Sequence, residues 1–205
     1  MPDTFALTVS SVLAYLLGAL PFAYLVPRLL KGVDIRRVGS GNPGALNVYR
    51  SLGSAPGLAV FALDAAKGLL AIYLTRWLDA PEASMYLAAL LVAVGHNWSV
   101  FLRFSGGKGA ATVFGVSLAV LPWMTLGVLA FTGATLAVTR RAVISFGTGF
   151  MLLNALTVAT SQPGGQIAMC LVLTSLVAGT HFARSAPDVM ALAQQGRWRD
   201  LAHLE

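Results

Sequence analysis

Charge is what this sequence has least of. Only 11 % of its 205 residues are charged, against 57 % hydrophobic. Soluble domains carry about 25 % charged residues, so an ordinary water-soluble fold is excluded and an all-α integral membrane protein is expected. There is one cysteine, Cys170, and hence no internal disulfide. It lies in an apolar stretch and reads as a small packing residue. The three histidines and Cys170 stand at no metal-ligand spacing, so no metal and no cofactor is expected. Polar linkers and internal repeats are also missing, which leaves one domain over residues 1–205. The net charge of +6 does not indicate nucleic acid, because the basic residues sit between apolar runs and form no solvated face.

Seven apolar runs predict seven transmembrane helices: 5–30, 56–78, 83–94, 108–121, 123–138, 142–160 and 166–181. Gly18, Pro21 and Pro27 are expected to bend the first. Its flanks, Asp3 before and Arg28 and Lys31 after, favour an uncleaved span with the N-terminus outside. Arg28, Lys31, Arg36, Arg37, Arg50, Arg103, Lys108, Arg140, Arg141, Arg184, Arg197 and Arg199 then fall on the inner side with a cytoplasmic C-terminus. Arg76, Asp3, Asp79 and Glu82 fall outside. The run from Lys108 to Leu121 holds 14 residues, fewer than the ~20 that cross a flat bilayer. One short, broken span is therefore expected, starting inside a protein-lined cavity.

That span is preceded by Phe104-Ser105-Gly106-Gly107-Lys108-Gly109-Ala110-Ala111-Thr112. Backbone N–H groups of Gly106, Gly107 and Gly109, a helix N-terminus and Lys108 make a candidate phosphate or carboxylate site. It lacks the spacing of a Walker A loop. A glycine-rich turn with a snorkelling lysine is the plain alternative. A second polar loop, residues 31–55, offers Ser40, Asn42, Asn47 and Arg50 as donors to an anionic, hydroxylated ligand. Asp64 and Lys67 share a helix face at i,i+3 and are read as a structural ion pair. His96 reads as a hydrogen-bonded structural histidine rather than a general base. Ser145 and His181 fall on the same inner side. Convergence of all these groups on one face points to one cytoplasm-facing site for a phosphorylated small molecule. No Gly-x-Ser-x-Gly elbow, Ser-His-Asp set or His-x4-Asp pair occurs, and no second carboxylate accompanies Asp64. The residues alone leave enzyme and transporter both open, although transporters show paired broken helices and here there is one short span.

The stretch Gly39–Arg50 resembles the first motif of the bacterial acyl-phosphate:glycerol-3-phosphate acyltransferases, the PlsY family. Gly95-His96-Asn97-Trp98 with Phe104–Thr112 is similar to the second motif. Ser145-Phe146-Gly147 resembles the third region, His181 the start of the last motif, and Asp64-Ala65-Ala66-Lys67-Gly68 the family's Asp-x-x-Lys-Gly. The resemblance implies an enzyme of the bacterial inner membrane that acts in phospholipid synthesis as a monomer. It would transfer a fatty acyl group from acyl phosphate to the 1-hydroxyl of glycerol 3-phosphate, giving lysophosphatidic acid. Lys108, Ser40 and His181 would be catalytic; Arg50, Ser145, Asn42, Asn47, Gly106, Gly107, Gly109, His96 and Arg184 would bind substrate, among membrane lipids. The sequence departs from the pattern at Leu46 (usually Thr), Ser99 (usually Pro) and Arg184, which takes the Asn place of His-x-x-Asn, with Pro187-Asp188 beyond it. A non-catalytic binder of lipid precursors is the rival that these departures suggest. Removing the ammonium in Lys108→Ala is expected to abolish turnover, read as phosphate release together with lysophosphatidic acid; normal turnover would show that the anion site lies elsewhere.

Overall fold

Lipid offers no hydrogen bonds to a backbone, so apolar runs of this length fold as helices. The structure, a computed structural model, describes residues 3–195; Arg197 and Arg199 lie outside the described residues. Nine α-helices are present among those residues: α1 (Asp3–Ala19), α2 (Phe22–Lys31), α3 (Ala45–Leu52), α4 (Ser54–Trp77), α5 (Glu82–Asn97), α6 (Ala110–Val120), α7 (Pro122–Thr139), α8 (Ala142–Ala159) and α9 (Gly164–Gln194). Six stretches are long and apolar enough to cross a membrane: α1 with α2, α4, α5, α7, α8 and α9. The short span of the sequence is α6, whose 11 residues rise about 17 Å, roughly half a ~30 Å hydrocarbon core.

The first span breaks at Leu20-Pro21, between α1 and α2, while Pro27 is accommodated inside α2. A break of this kind frees carbonyls that lipid cannot satisfy. Two side chains from elsewhere in the chain take them up. Lys67 Nζ donates to Leu20 O at 3.0 Å, and Ser99 Oγ donates to Ala19 O at 2.5 Å. Ser99, a departure from the family pattern, thus caps the end of α1. Nothing in the structure accounts for Leu46.

Helix α6 is the centre of the bundle, with every residue from Ala111 to Ser117 buried. It lies chiefly against α4, while α1 lies against α5 and α7 against α8. The α4–α6 approach is backbone to backbone. A Cβ on Gly68 would collide with Thr112 O, and one on Gly115 with Ala65 O. Below that contact, the Phe114 ring stacks on Phe150 at 4.6 Å and tilts against Phe146 at 5.9 Å. Large side chains such as Trp123, Met151 and Phe182 stay exposed on the outer face, as a lipid-facing surface requires. Overpacking a closed contact costs about 1–3 kcal/mol. Gly115→Val is therefore expected to lower the melting temperature in detergent by several degrees, whereas Gly127→Val, at a glycine with open space around it, leaves it unchanged.

Candidate active site

Between α5 and α6 the chain leaves helical geometry. A short 3-10 turn, Val100–Leu102, is followed by Arg103 and Phe104, both at positive φ (52° and 61°). The chain then doubles back along the end of α5. Gly106 N–H donates to Asn97 O at 3.1 Å and Gly107 N–H to His96 O at 3.1 Å. These two amides, expected to face a ligand, are therefore used to fold the loop. The first-turn amides of α6, Ala110 to Thr112, also lie here and have no partner within the helix. Gly109 precedes them at φ 88°, a left-handed conformation that suits glycine, with Asn97 Oδ1 packed where a Cβ would be.

Helix α9 closes the loop from the side. His181 Nδ1 lies 2.9 Å from Lys108 Nζ, so the lysine and histidine expected to act together are brought together. One residue back, Thr180 Oγ1 accepts from Asn97 Nδ2 at 2.9 Å. Arg184, one turn on, donates to Gly106 O, to Gly107 O at 2.7 Å and to Asn97 O at 2.6 Å. Its guanidinium is held by the loop's carbonyls rather than presented to a phosphate.

The first polar loop meets the glycine loop through Pro43, whose carbonyl lies about 3.0 Å from where a Cβ on Gly107 would stand. Asn47 was expected as a ligand donor; instead it is buried and organises the turn. Its Nδ2 donates to Ile35 O, Val38 O and Asn42 O, and its Oδ1 accepts from Ser40 N–H and Ser51 Oγ. Ser40 and Arg50 are exposed, and Asn42 is half-buried, with its N–H turned to Ser40 Oγ at 3.4 Å. Arg36 is committed locally. It pairs with Asp34 at 2.7 Å, holds that carboxyl down at about 2, and covers the Tyr24 ring at 4.8 Å. Ser145 is buried in the first turn of α8, donating to Arg141 O at 2.9 Å and lying 3.2 Å from Thr139 Oγ1.

Under the loop lies a small cavity of about 10 Å³, room for roughly one water, edged by Pro43, Asp64, Lys67, His96, Gly106 and Gly107. Lys67 Nζ is 2.8 Å from Asp64 Oδ1, the ion pair expected from the i,i+3 spacing. His96 Nδ1 lies 3.6 Å from the same oxygen. The His96 ring sits directly beneath Gly107, where any side chain would strike it. His96 supports the loop from below, as a structural histidine. Asn97, read from the sequence only as part of a motif, is the hub of this arrangement and is fully buried. Its sequence signal is a polar amide at the end of an otherwise apolar span, where an unpartnered polar group is costly.

A family model of glycerol-3-phosphate acyltransferases matches residues 8–186. The chain belongs to this family. Over 111 residues it is 54 % identical to glycerol-3-phosphate acyltransferase 2 of Moorella thermoacetica, covering 54 % of this chain and 57 % of that protein. In that alignment the chain thus spans little more than half the relative's length. Over 170 residues it is 41 % identical to glycerol-3-phosphate acyltransferase 1 of Deinococcus radiodurans, covering 83 % and 85 %. Its fold is similar to the crystal structure of PlsY, an integral membrane glycerol 3-phosphate acyltransferase, in the glycerol 3-phosphate form. The TM-score is 0.80 at 30 % identity over 93 % of each chain. A second form of that structure, with lysophosphatidic acid, matches with a TM-score of 0.79.

Removing one partner of a buried ion pair costs about 3–5 kcal/mol because the other charge is stranded. Lys67→Met is accordingly expected to lower the melting temperature sharply, and Asp64→Leu added to it to restore much of the loss. Equal melting of the single and double variants would show that the two charges do not interact.

Proposed function

We propose that this chain transfers a fatty acyl group from acyl phosphate to the 1-hydroxyl of glycerol 3-phosphate, giving lysophosphatidic acid and inorganic phosphate. Membership of the glycerol-3-phosphate acyltransferase family supports the reaction. The observation that carries it in this chain is the Lys108–His181 contact at the mouth of α6. An ammonium, an imidazole and the unpaired amides of a helix N-terminus converge there, a donor set for a phosphate and for charge growing on a carbonyl oxygen.

In this reading the acyl-phosphate head lies over the first turn of α6, beside Lys108. Glycerol 3-phosphate is held by Lys108 and His181 together with Arg50 and Ser40 from the first loop, with Ser145 behind. The hydroxyl oxygen attacks the acyl carbon, the new ester C–O bond forms, and the bond from that carbon to the phosphate oxygen breaks. The hydroxyl proton passes to a substrate phosphate oxygen. The leaving phosphate is a good one, so positioning and charge stabilisation supply the catalysis. Asn47 acts on this chemistry only by shaping the first loop. The site faces the cytoplasm, as the basic loops on one side of the spans support. The acyl chain enters from the surrounding lipid between the helices.

Purified protein mixed with palmitoyl phosphate and glycerol 3-phosphate is expected to release phosphate and lysophosphatidic acid in equal amounts. Phosphate without the lipid would point to another acyl acceptor. Binding of glycerol 3-phosphate with neither product would make the chain a non-catalytic binder.

A further inference from the structure

The Arg184 guanidinium reaches three carbonyl oxygens on one side of the glycine loop: Asn97 O, Gly106 O and Gly107 O. We propose that Arg184 is a positioning residue for the acyl transfer, a clasp that sets which way the loop's peptide planes face and so aims the amides leading into α6. This inference rests on the acyltransferase reading above.

The argument is geometric. A trans peptide is planar, and its C=O and N–H point in opposite directions. Holding Gly106 O on the guanidinium turns the Gly107 N–H away from it, toward His96 O, where it is found at 3.1 Å. Holding Gly107 O on the same group turns the Lys108 N–H to the opposite side of the loop. Nη1 meets Gly106 O and Gly107 O while Nη2 meets Asn97 O, so one planar fork fixes both glycine planes relative to the end of α5. An ammonium lacks the second nitrogen, and the shorter Asn side chain lacks the reach. Gly106 and Gly107 need this help. Glycines have the widest backbone freedom, and two of them precede Lys108. Asn97 O accepts from Arg184 and from Gly106 N–H together, so the clasp also ties the loop to the end of α5.

The register of α9 supports the same role. Thr180, His181 and Arg184 lie within one turn and engage Asn97, Lys108 and the glycine carbonyls respectively. One helix face therefore sets the backbone, the hub amide and the charge of the site. The residue is partly buried, and the three hydrogen bonds it donates go to protein carbonyls, so the clasp acts on the loop.

The test uses the full chain in detergent or mesophase, comparing Arg184→Asn, Arg184→Ala and Arg184→Lys with wild type. Arg184→Asn matters most, because restoring the usual residue of the last motif would, on the sequence pattern alone, leave turnover unchanged or raise it. The clasp predicts the opposite. In Arg184→Asn and Arg184→Ala, kcat should fall on the order of 100-fold, the scale of an ångström of misplacement. The KM for glycerol 3-phosphate should barely move, and Arg184→Lys should fall between. Guanidinium ion added at non-denaturing concentration should restore part of the Arg184→Ala turnover. Hydrogen exchange at the 105–109 amides should quicken in Arg184→Asn while exchange in α4 and α8 stays as in wild type. Unchanged or raised turnover in Arg184→Asn would overturn the clasp, as would unchanged exchange in the loop. A fall that guanidinium does not relieve, with exchange quickened throughout, would assign Arg184 to general stability and overturn it too. Should wild type itself make no lysophosphatidic acid, the functional reading fails, and loop exchange still decides the clasp.

Discussion

Backbone that leaves a helix within a membrane must find partners for its N–H and C=O groups, because lipid supplies none. This constraint governs the places where the structure departs from regular helix. At the α1–α2 break, Leu20 O and Ala19 O are met by Lys67 and Ser99. At the glycine loop, the amides of Gly106 and Gly107 return to Asn97 O and His96 O, and the carbonyls are met by Arg184. Lys67 is the link between the two, since it bonds the first break while pairing with Asp64 under the loop. The buried pair is thus a bracket holding the α1–α2 bend at the floor of the site, which gives an expensive group in a membrane a reason to be there.

The constraint also accounts for the polar residues that build the site. Asn47, Asn97, His96 and Arg184 have their donors or acceptors engaged with protein, and each holds a loop in shape. Lys108 and His181 meet at the first turn of α6, the place the proposed function gives to the substrate phosphate. A charge-stabilising site works when its donors are already aimed and need not reorganise during reaction. Scaffold side chains bonded to protein in this way are what such preorganisation requires.

Much of this was legible in the sequence. The apolar runs, the short α6 and the i,i+3 pairing of Asp64 with Lys67 follow from hydropathy, length and helical periodicity, and the structure has them all. That Lys108 and His181 share one face follows from the charge pattern of the spans, while their pairing in one site follows from the motif resemblance, since they lie 73 positions apart. What composition could not reveal is the direction of individual amides. Gly106 and Gly107 look like ligand donors in a string of letters, yet a tight return of the chain uses their N–H groups internally. Asn47 looks like a surface donor in a polar loop, yet a loop of that length must bury some amide to hold its turns together. Polar residue type tells what a side chain can bond. Only the path of the backbone decides whether the partner is a ligand or the chain itself.

The two departures with structural partners, Ser99 and Arg184, belong to that same logic. Each supplies donors to carbonyls at a break in helical structure, one beneath α1 and one on the glycine loop. Degeneration of a site removes donors and leaves buried carbonyls unmet, at a cost of about 1–3 kcal/mol for each. Here the replacements meet those carbonyls. The altered last motif thus keeps a bonded contact between α9 and the glycine loop, made by a guanidinium instead of an amide.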